Sequence, residues 1–351
     1  METKPLRGRG ASHNPANRFE RLAVVPDGPA DPGDPGPRTE FFRDCSRSII
    51  ARNESPDVGF DTTVNPYRGC EHGCLYCYAR PYHEYLGFSA GLDFETKILV
   101  KEDAPELLRA ELSSRRWQPQ PILLSGVTDP YQPVERRLCL TRRCLEVLAE
   151  FRNPVAITTK NRLVIRDLDL LAQLAGYGAA AVALSITTLD DRLRRVMEPR
   201  TSAPARRLDA IARLSAAGVP AAVTIAPVIP GLTDHELPRI VAAAAEAGAI
   251  TAGYVMLRLP YGVAPLFQRW LGGHFPERKE KVLNRIREVR RGRLYDPRFE
   301  VRGRGVGPYA QQLERLFQVS CRKAGLASQM PPLSTAAFRR PQPSGQLELR
   351  I

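Results

Sequence analysis

The chain has no uninterrupted apolar run near the roughly 18 residues a membrane helix needs; VAAAAEAGAITAGYVML (241–257) is broken by Glu246 and by glycines. Its first twenty residues, METKPLRGRGASHNPANRFE, hold no apolar stretch of the secretory kind. The expectation is a cytoplasmic protein without a membrane partner. Histidine is scarce, at five residues, so imidazole-based hydrolysis has little to work with. No GxSxG, Walker A, HExxH or zinc-deaminase pattern occurs. Seven cysteines, an odd number scattered over a long chain, argue against a disulfide framework.

What the chain does contain is enough apolar material to bury a core: 43% of 351 residues, with 25% charged. Its 26 glycines and 31 prolines predict many loops. The formal net charge is +13, carried by arginine far more than by the seven lysines. That excess is uneven. Residues 1–60 hold nine basic and nine acidic side chains, whereas residues 275–351 hold 17 basic and seven acidic ones. A basic C-terminal part would attract a polyanion such as nucleic acid, or simply be a solvated arginine-rich helix and tail.

The organisation reads as three parts: an irregular arm over 1–60 with a turn-rich DGPADPGDPGP at 27–37, a core over 61–275, and a basic helical extension over 276–351. In the core, short apolar runs alternate with helical spacing. TTVNP, PILLSG (121–126), VAITT (155–159), AAVALSIT (180–187), AAVTIAPV (221–228) and AITAGYVML (249–257) are six expected strands. Helices are expected over 138–151, 164–175, 205–218 and 234–248, the last capped by Asp234. Six βα units give an α/β fold, a partial (βα)6 barrel of the TIM type. A doubly wound sheet fits the same period. Either way the site lies after the strands' carboxyl ends.

After the first strand comes NPYRGCEHGCLYCYARP (65–81), with Cys70, Cys74 and Cys77 spaced C-x3-C-x2-C. Thiolates on so tight a loop can converge on a soft metal centre, and three of them leave one iron of a 4Fe–4S cluster open. The competing reading is zinc with His72 or His83 as fourth ligand, but no second cysteine pair completes such a site. Cys139 and Cys144, inside an expected helix, read as small buried apolar residues.

This motif, with Tyr76 as the aromatic residue before the last cysteine, resembles the signature of the radical S-adenosylmethionine (SAM) superfamily, and within it the spore photoproduct lyase-like branch, over roughly residues 61–260. The resemblance implies a partial barrel, a 4Fe–4S cluster on the three cysteines, SAM bound to the open iron, and reductive cleavage of SAM to a 5′-deoxyadenosyl radical. It also implies a flavodoxin- or ferredoxin-like electron donor. The resemblance implies Tyr76 beside the cluster and, at SAM, Thr128 after the second strand, Lys160 after the third and Ser185 in the fourth. Gly126 and Asp129 beside Thr128, Arg200 beyond the fourth strand, which could equally form a salt bridge or fix its loop, and Ala226 leading into the Pro227–Gly231 wall after the fifth are further cofactor candidates read from the residues. Their ordinary alternatives are an Asx turn at Thr128–Asp129, a solvated Lys160 and a packed Ser185. Glu198 is read as structural first, and Arg258, after the sixth strand, as a substrate anchor.

The chain departs from the lyase at one place. The lyase carries a hydrogen-donating cysteine just after the second strand, and Gly126 stands there instead. The cofactor chemistry is therefore expected to carry over and the lyase reaction not. Tyr78 and Tyr131 are the nearest substitute hydrogen donors. The expected function is a radical SAM enzyme acting on an unidentified substrate, nucleic acid or nucleotide among the candidates. The alternatives are an enzyme modifying peptides or proteins, and a non-catalytic iron–sulfur protein that binds nucleic acid.

Overall fold

The structure, a computed structural model, describes residues 6–20, 37–57, 59–124 and 126–341. The greater part of the turn-rich stretch at 27–37 lies outside the described residues. Among the described residues ten strands occur in order: Glu40–Arg43 (β1), Ile50–Arg52 (β2), Thr62–Val64 (β3), Tyr67–Arg68 (β4), Lys97–Val100 (β5), Ile122–Leu124 (β6), Val155–Thr159 (β7), Ala180–Ser185 (β8), Ala221–Val228 (β9) and Thr251–Met256 (β10).

The large sheet runs β10-β9-β8-β7-β6-β3-β2, parallel throughout except for antiparallel β2 at the edge. The six expected strands thus lie side by side in chain order. A doubly wound sheet would reverse that order at a switch point. Here it never reverses, which decides for the barrel-type winding. β1, β5 and β4 form a second, small sheet, so residues expected to be an irregular arm supply a strand to each sheet.

Register explains how the two sheet faces divide. Val155 pairs with Ala180, and Val182 with Ala221, so Val155, Ile157, Val182, Leu184, Val223 and Ile225 share one face. That face packs on the helices Leu140–Phe151, Leu168–Ala175, Pro204–Ala216 and Leu237–Glu246 to make the main core. The opposite face carries Ala156, Ala181, Ala222 and Gly253. Branched residues toward helices and small ones toward the concave side leave room in the partial barrel. A second core, with Leu75, Met197, Ile229, Phe267 and Trp270, sits under the helix Val263–His274.

Two local expectations need correction. The helix expected over 138–151 is interrupted at Cys139, whose φ of 53° ends the turn Glu135–Leu138 before Leu140–Phe151 begins. Asp234 opens the 3-10 turn Asp234–Glu236 and does not cap it; its carboxylate takes Gly231 N–H at 2.7 Å and the Tyr309 hydroxyl. The basic extension is docked, not loose. Its helix Gly307–Lys323 buries Ala310, Leu313 and Phe317 in the main core.

Candidate active site

The cysteine loop leaves β4 and is clamped from two directions. Cys70 N–H donates to Phe94 O at 2.9 Å, and Cys77 N–H to Cys74 O at 3.2 Å. Arg80, wholly buried, donates to Cys74 O at 3.0 Å, Gly91 O at 2.8 Å and Glu95 at 2.5 Å. Glu95 in turn accepts from the backbone of Gly10 at 3.0 Å and Ala11 at 2.8 Å. The N-terminal RGRGA is therefore stitched to the back of the loop through one buried ion pair. A Cβ on Gly10 would lie 1.8 Å from Gly73 O, so only glycine allows this approach. Sequence reasoning missed Arg80, Glu95 and Gly10 as loop supports. Arginine and glutamate carry no local signal of burial, and their partners lie far away in sequence.

Three thiols on one tight loop are the donor chemistry an iron–sulfur cluster needs, although among the described residues no three His, Cys, Asp or Glu side chains are already gathered as a metal-binding group. Cys70 and Cys74 are buried and Cys77 is half-buried. Burial, with Cys70 adding to it, pushes the Cys77 thiol up to about 11. Burial, and then Glu198, raises Cys74 well above the usual thiol range. Both ring nitrogens of His72 face protein groups. His72 Nδ1 faces Asp129 at 3.3 Å and its Nε2 faces the Asn161 amide at 3.3 Å. His83 is buried against Phe88 and Phe94, and burial lowers it to about 4.

Beside the loop three strand ends converge. Lys160 after β7, Ser185 at the end of β8 and Ala226 within β9 share the concave face by register. Lys160 Nζ donates to Ala226 O at 2.8 Å and to Ser185 Oγ, and lies 3.9 Å from Glu198. Ser185 Oγ also donates to Ala226 O, at 3.2 Å. Tyr76 reaches in from the loop, its hydroxyl on Glu198 and 3.1 Å from Thr187. Glu198 is anchored by buried Arg207. Burial alone would raise its carboxyl, but Arg207 and Lys160 outweigh that and bring it down to about 2. The carboxylate is thus a structural counter-ion that holds both Tyr76 and the Lys160 cation in place.

The remaining expected residues mostly hold the loop. Thr128 Oγ donates to Gly69 O at 2.7 Å. Asp129 ties strand to loop: it accepts from Lys160 N–H at 2.8 Å and Thr159 Oγ at 2.7 Å while facing His72. Arg200 pairs with Glu71 at 3.0 Å, and its N–H donates to His72 O at 3.3 Å. Gly126 accepts the Tyr78 hydroxyl at 2.5 Å. The two tyrosines named as hydrogen donors part company here. Tyr131 is wholly buried in the main core, whereas Tyr78 is 41% exposed, with the Arg258 guanidinium 4.8 Å from its ring centre. Of the two, Tyr78 is the one that reaches the surface.

Six parallel strands in chain order, a three-cysteine loop after the first, and a cation among the next strand ends define the radical SAM class. Residues 64–244 match the Radical SAM superfamily, and the chain belongs to it. An uncharacterized protein of Mycobacterium tuberculosis is 38% identical over 258 residues, spanning 73% of this chain and 75% of that one. Another, from Methanocaldococcus jannaschii, is 29% identical, spanning 66% and 83%. A radical SAM Nalpha-GlyT isomerase of Pseudomonas phage M6 is 28% identical over 49% of this chain and 34% of its own. Among solved structures, a mutant of spore photoproduct lyase superposes with a TM-score of 0.57 at 17% identity, covering 81% of this chain and 79% of the other. A second, with bound AdoMet and dinucleoside spore photoproduct, gives 0.55 at 16%, covering 81% and 78%. The fold is that of spore photoproduct lyase. The family implies a 4Fe–4S cluster, SAM and an electron donor. No helix among the described residues is long and apolar enough to cross a membrane.

Proposed function

We propose that this chain is an enzyme whose Cys70, Cys74 and Cys77 hold a 4Fe–4S cluster and whose Lys160 and Ser185 receive the amino-acid end of SAM. When bound, that pair supplies a 5′-deoxyadenosyl radical on one-electron reduction. The observation that supports this reading is the meeting of Lys160, Ser185 and the Ala226 carbonyl beside Tyr76 of the cysteine loop. A cation tethered by neutral oxygens and one ionised carboxylate is pre-set to receive an anionic group such as the SAM carboxylate. The Tyr78 hydroxyl donates to the carbonyl of Gly126, the residue that replaces the lyase's cysteine, and we assign Tyr78 the donation of a hydrogen atom to the product radical.

The substrate class is nucleic acid. Exposed rings and guanidinium groups lie on the segment that follows the cysteine loop and on the chain packed against it. Tyr82 is 54% and Tyr85 67% exposed, and Tyr85 stacks on Phe19 at 4.7 Å. Arg18, paired with Glu84 at 2.6 Å, lies 3.7 Å from the ring centre of exposed Tyr261, and Arg258 covers Tyr78. Rings and cations in alternation suit unstacked bases on a phosphate backbone. The basic extension is less available than its composition implies. Arg298, Arg302 and Arg304 pair with Asp296, Asp57 and Glu314, and Arg290 is buried on backbone carbonyls.

The test is anaerobic reconstitution, reduction with dithionite, addition of SAM and assay of 5′-deoxyadenosine against Cys74→Ala. Product from the wild type alone supports the reading. A chain that binds zinc and no iron sinks it. Single-stranded DNA binding that weakens steeply with salt would support the substrate class, and indifference to salt would remove it.

A further inference from the structure

Asn65 stands one residue past the carboxyl end of β3, in the NPYRGC stretch that leads into the cysteine loop. Val64 packs in the main core, so strand alternation turns Thr63 and Asn65 toward the concave side. Register agrees: Thr63 pairs with Leu123 of β6, and Leu123 with Ala156 of β7, one of the small residues of that side. Asn65 is 8% exposed, and its amide is held by one bond, Oδ1 accepting Val127 N–H at 3.2 Å. That bond fixes which way the amide faces, because only the oxygen can accept. Nδ2 therefore carries both amide hydrogens, and nothing among the described residues accepts from it, although it is not sealed from solvent. The space in front of it is a missing side chain. A Cβ on Gly126 would have Asn65 Nδ2 and Thr63 Cγ2 as its nearest atoms, each at 3.7 Å. The Tyr78 hydroxyl reaches the same glycine, donating to its carbonyl oxygen at 2.5 Å. A nearly buried amide whose nitrogen the protein leaves unpaired, beside an empty side-chain position, marks a place for an acceptor brought by a ligand.

We infer that Asn65 is a specificity-determining residue, its Nδ2 donating to a carbonyl oxygen of the base that is acted on, seated at Gly126 beside Tyr78. The inference rests on the nucleic-acid reading above and narrows it to bases with a keto group. With Oδ1 engaged by Val127, the amide cannot turn over to accept, so it is a donor only. Thymine and uracil answer it through O4 and guanine through O6. Cytosine and adenine present an amino group at the same edge, which sets two donors against each other. That mismatch carries the discrimination, since it leaves both groups unpaired in a nearly buried position. Contacts to the phosphate backbone cannot supply it, because every base shares them.

The experiment uses the cluster-loaded full chain with SAM and no reductant, so that nothing turns over. Binding of short labelled oligothymidylate, oligodeoxyuridylate and oligodeoxycytidylate is followed by fluorescence anisotropy. The wild type is expected to bind the thymine and uracil strands about threefold to tenfold more tightly than the cytosine strand, as for one hydrogen bond. Agreement between thymine and uracil shows that the keto group is read and the methyl group is not. Asn65→Asp keeps an oxygen for Val127 N–H and turns the substrate-facing atom into an acceptor. Its added charge should weaken all three strands alike, while the preference reverses toward cytosine. Asn65→Ala should bring the ratio near one. Equal affinities in the wild type would overturn the assignment, as would a keto preference kept by Asn65→Asp at normal iron content. Iron lost from both variants would make Asn65 a brace of the loop and overturn it too. If none of the strands binds, the nucleic-acid reading itself falls, and this assignment with it.

Discussion

Lys160 Nζ lies 2.8 Å from the carbonyl oxygen of Ala226, a residue 66 positions further along the chain. The contact spans three neighbouring strand ends, with Ser185 between. It places a cation on the concave side of the barrel next to Tyr76 of the cysteine loop. Removing that cation leaves the oxygens but not the anion-binding charge. Lys160→Met is expected to weaken SAM binding by about tenfold to a hundredfold, as for loss of one charge-assisted hydrogen bond, with iron content unchanged. Equilibrium dialysis of SAM against the reconstituted variant checks this. Unaltered affinity would return Lys160 to a structural role.

Each single cysteine replacement, Cys70→Ala, Cys74→Ala or Cys77→Ala, should reduce iron and sulfide after anaerobic reconstitution to background. Replacement of Cys139, Cys144 or Cys321 should leave them at wild-type levels. Metal analysis reads both sets, and iron retained in any of the first three variants would break the ligand assignment.

Gly10→Ala is expected to spoil the cysteine loop without unfolding the barrel, because the added Cβ meets the Gly73 carbonyl at 1.8 Å. The loop or the N-terminal segment must then move, releasing Glu95 from its backbone donors. Circular dichroism should be unchanged while the cluster is lost faster in air. Wild-type cluster lifetime would show that the N-terminal clamp is unnecessary.

The Glu198–Arg207 pair should be costly to break from one side. Arg207→Met leaves a buried carboxylate with Lys160 as its remaining cation, and a loss of about 3–5 kcal/mol is expected by urea unfolding. The pair also has a pH signature. The Glu198 carboxyl is depressed to about 2 in the folded chain, so its stabilisation is fully present above its unfolded value near 4.5 and disappears as pH falls toward 2. Glu198→Gln should flatten the acid side of the stability curve in that window. An unchanged slope there would mean another carboxylate governs acid unfolding.

The strands were legible because parallel strands buried on both faces read as short apolar runs. VAITT and AAVTIAPV coincide with β7 and β9 residue for residue. The choice between barrel and doubly wound sheet was not legible. Both architectures use the same period, and only strand order, a long-range property, tells them apart. The break at Cys139 was hidden for a related reason, since cysteine gives no local warning of a left-handed turn.

By itself the sequence determined that three thiols stand within eight residues on one short loop, which is what the proposed ligand set rests on. It also determined which residues follow each strand. What only the tertiary structure decided was how those residues divide their work. Thr128, Asp129 and Arg200 bond to the loop, Lys160 and Ser185 face the concave side, and Tyr78 is exposed where Tyr131 is buried. Hydroxyls, carboxylates and guanidinium groups act according to the partner within about 3 Å. In this chain those partners are supplied by strands and loops tens of residues away.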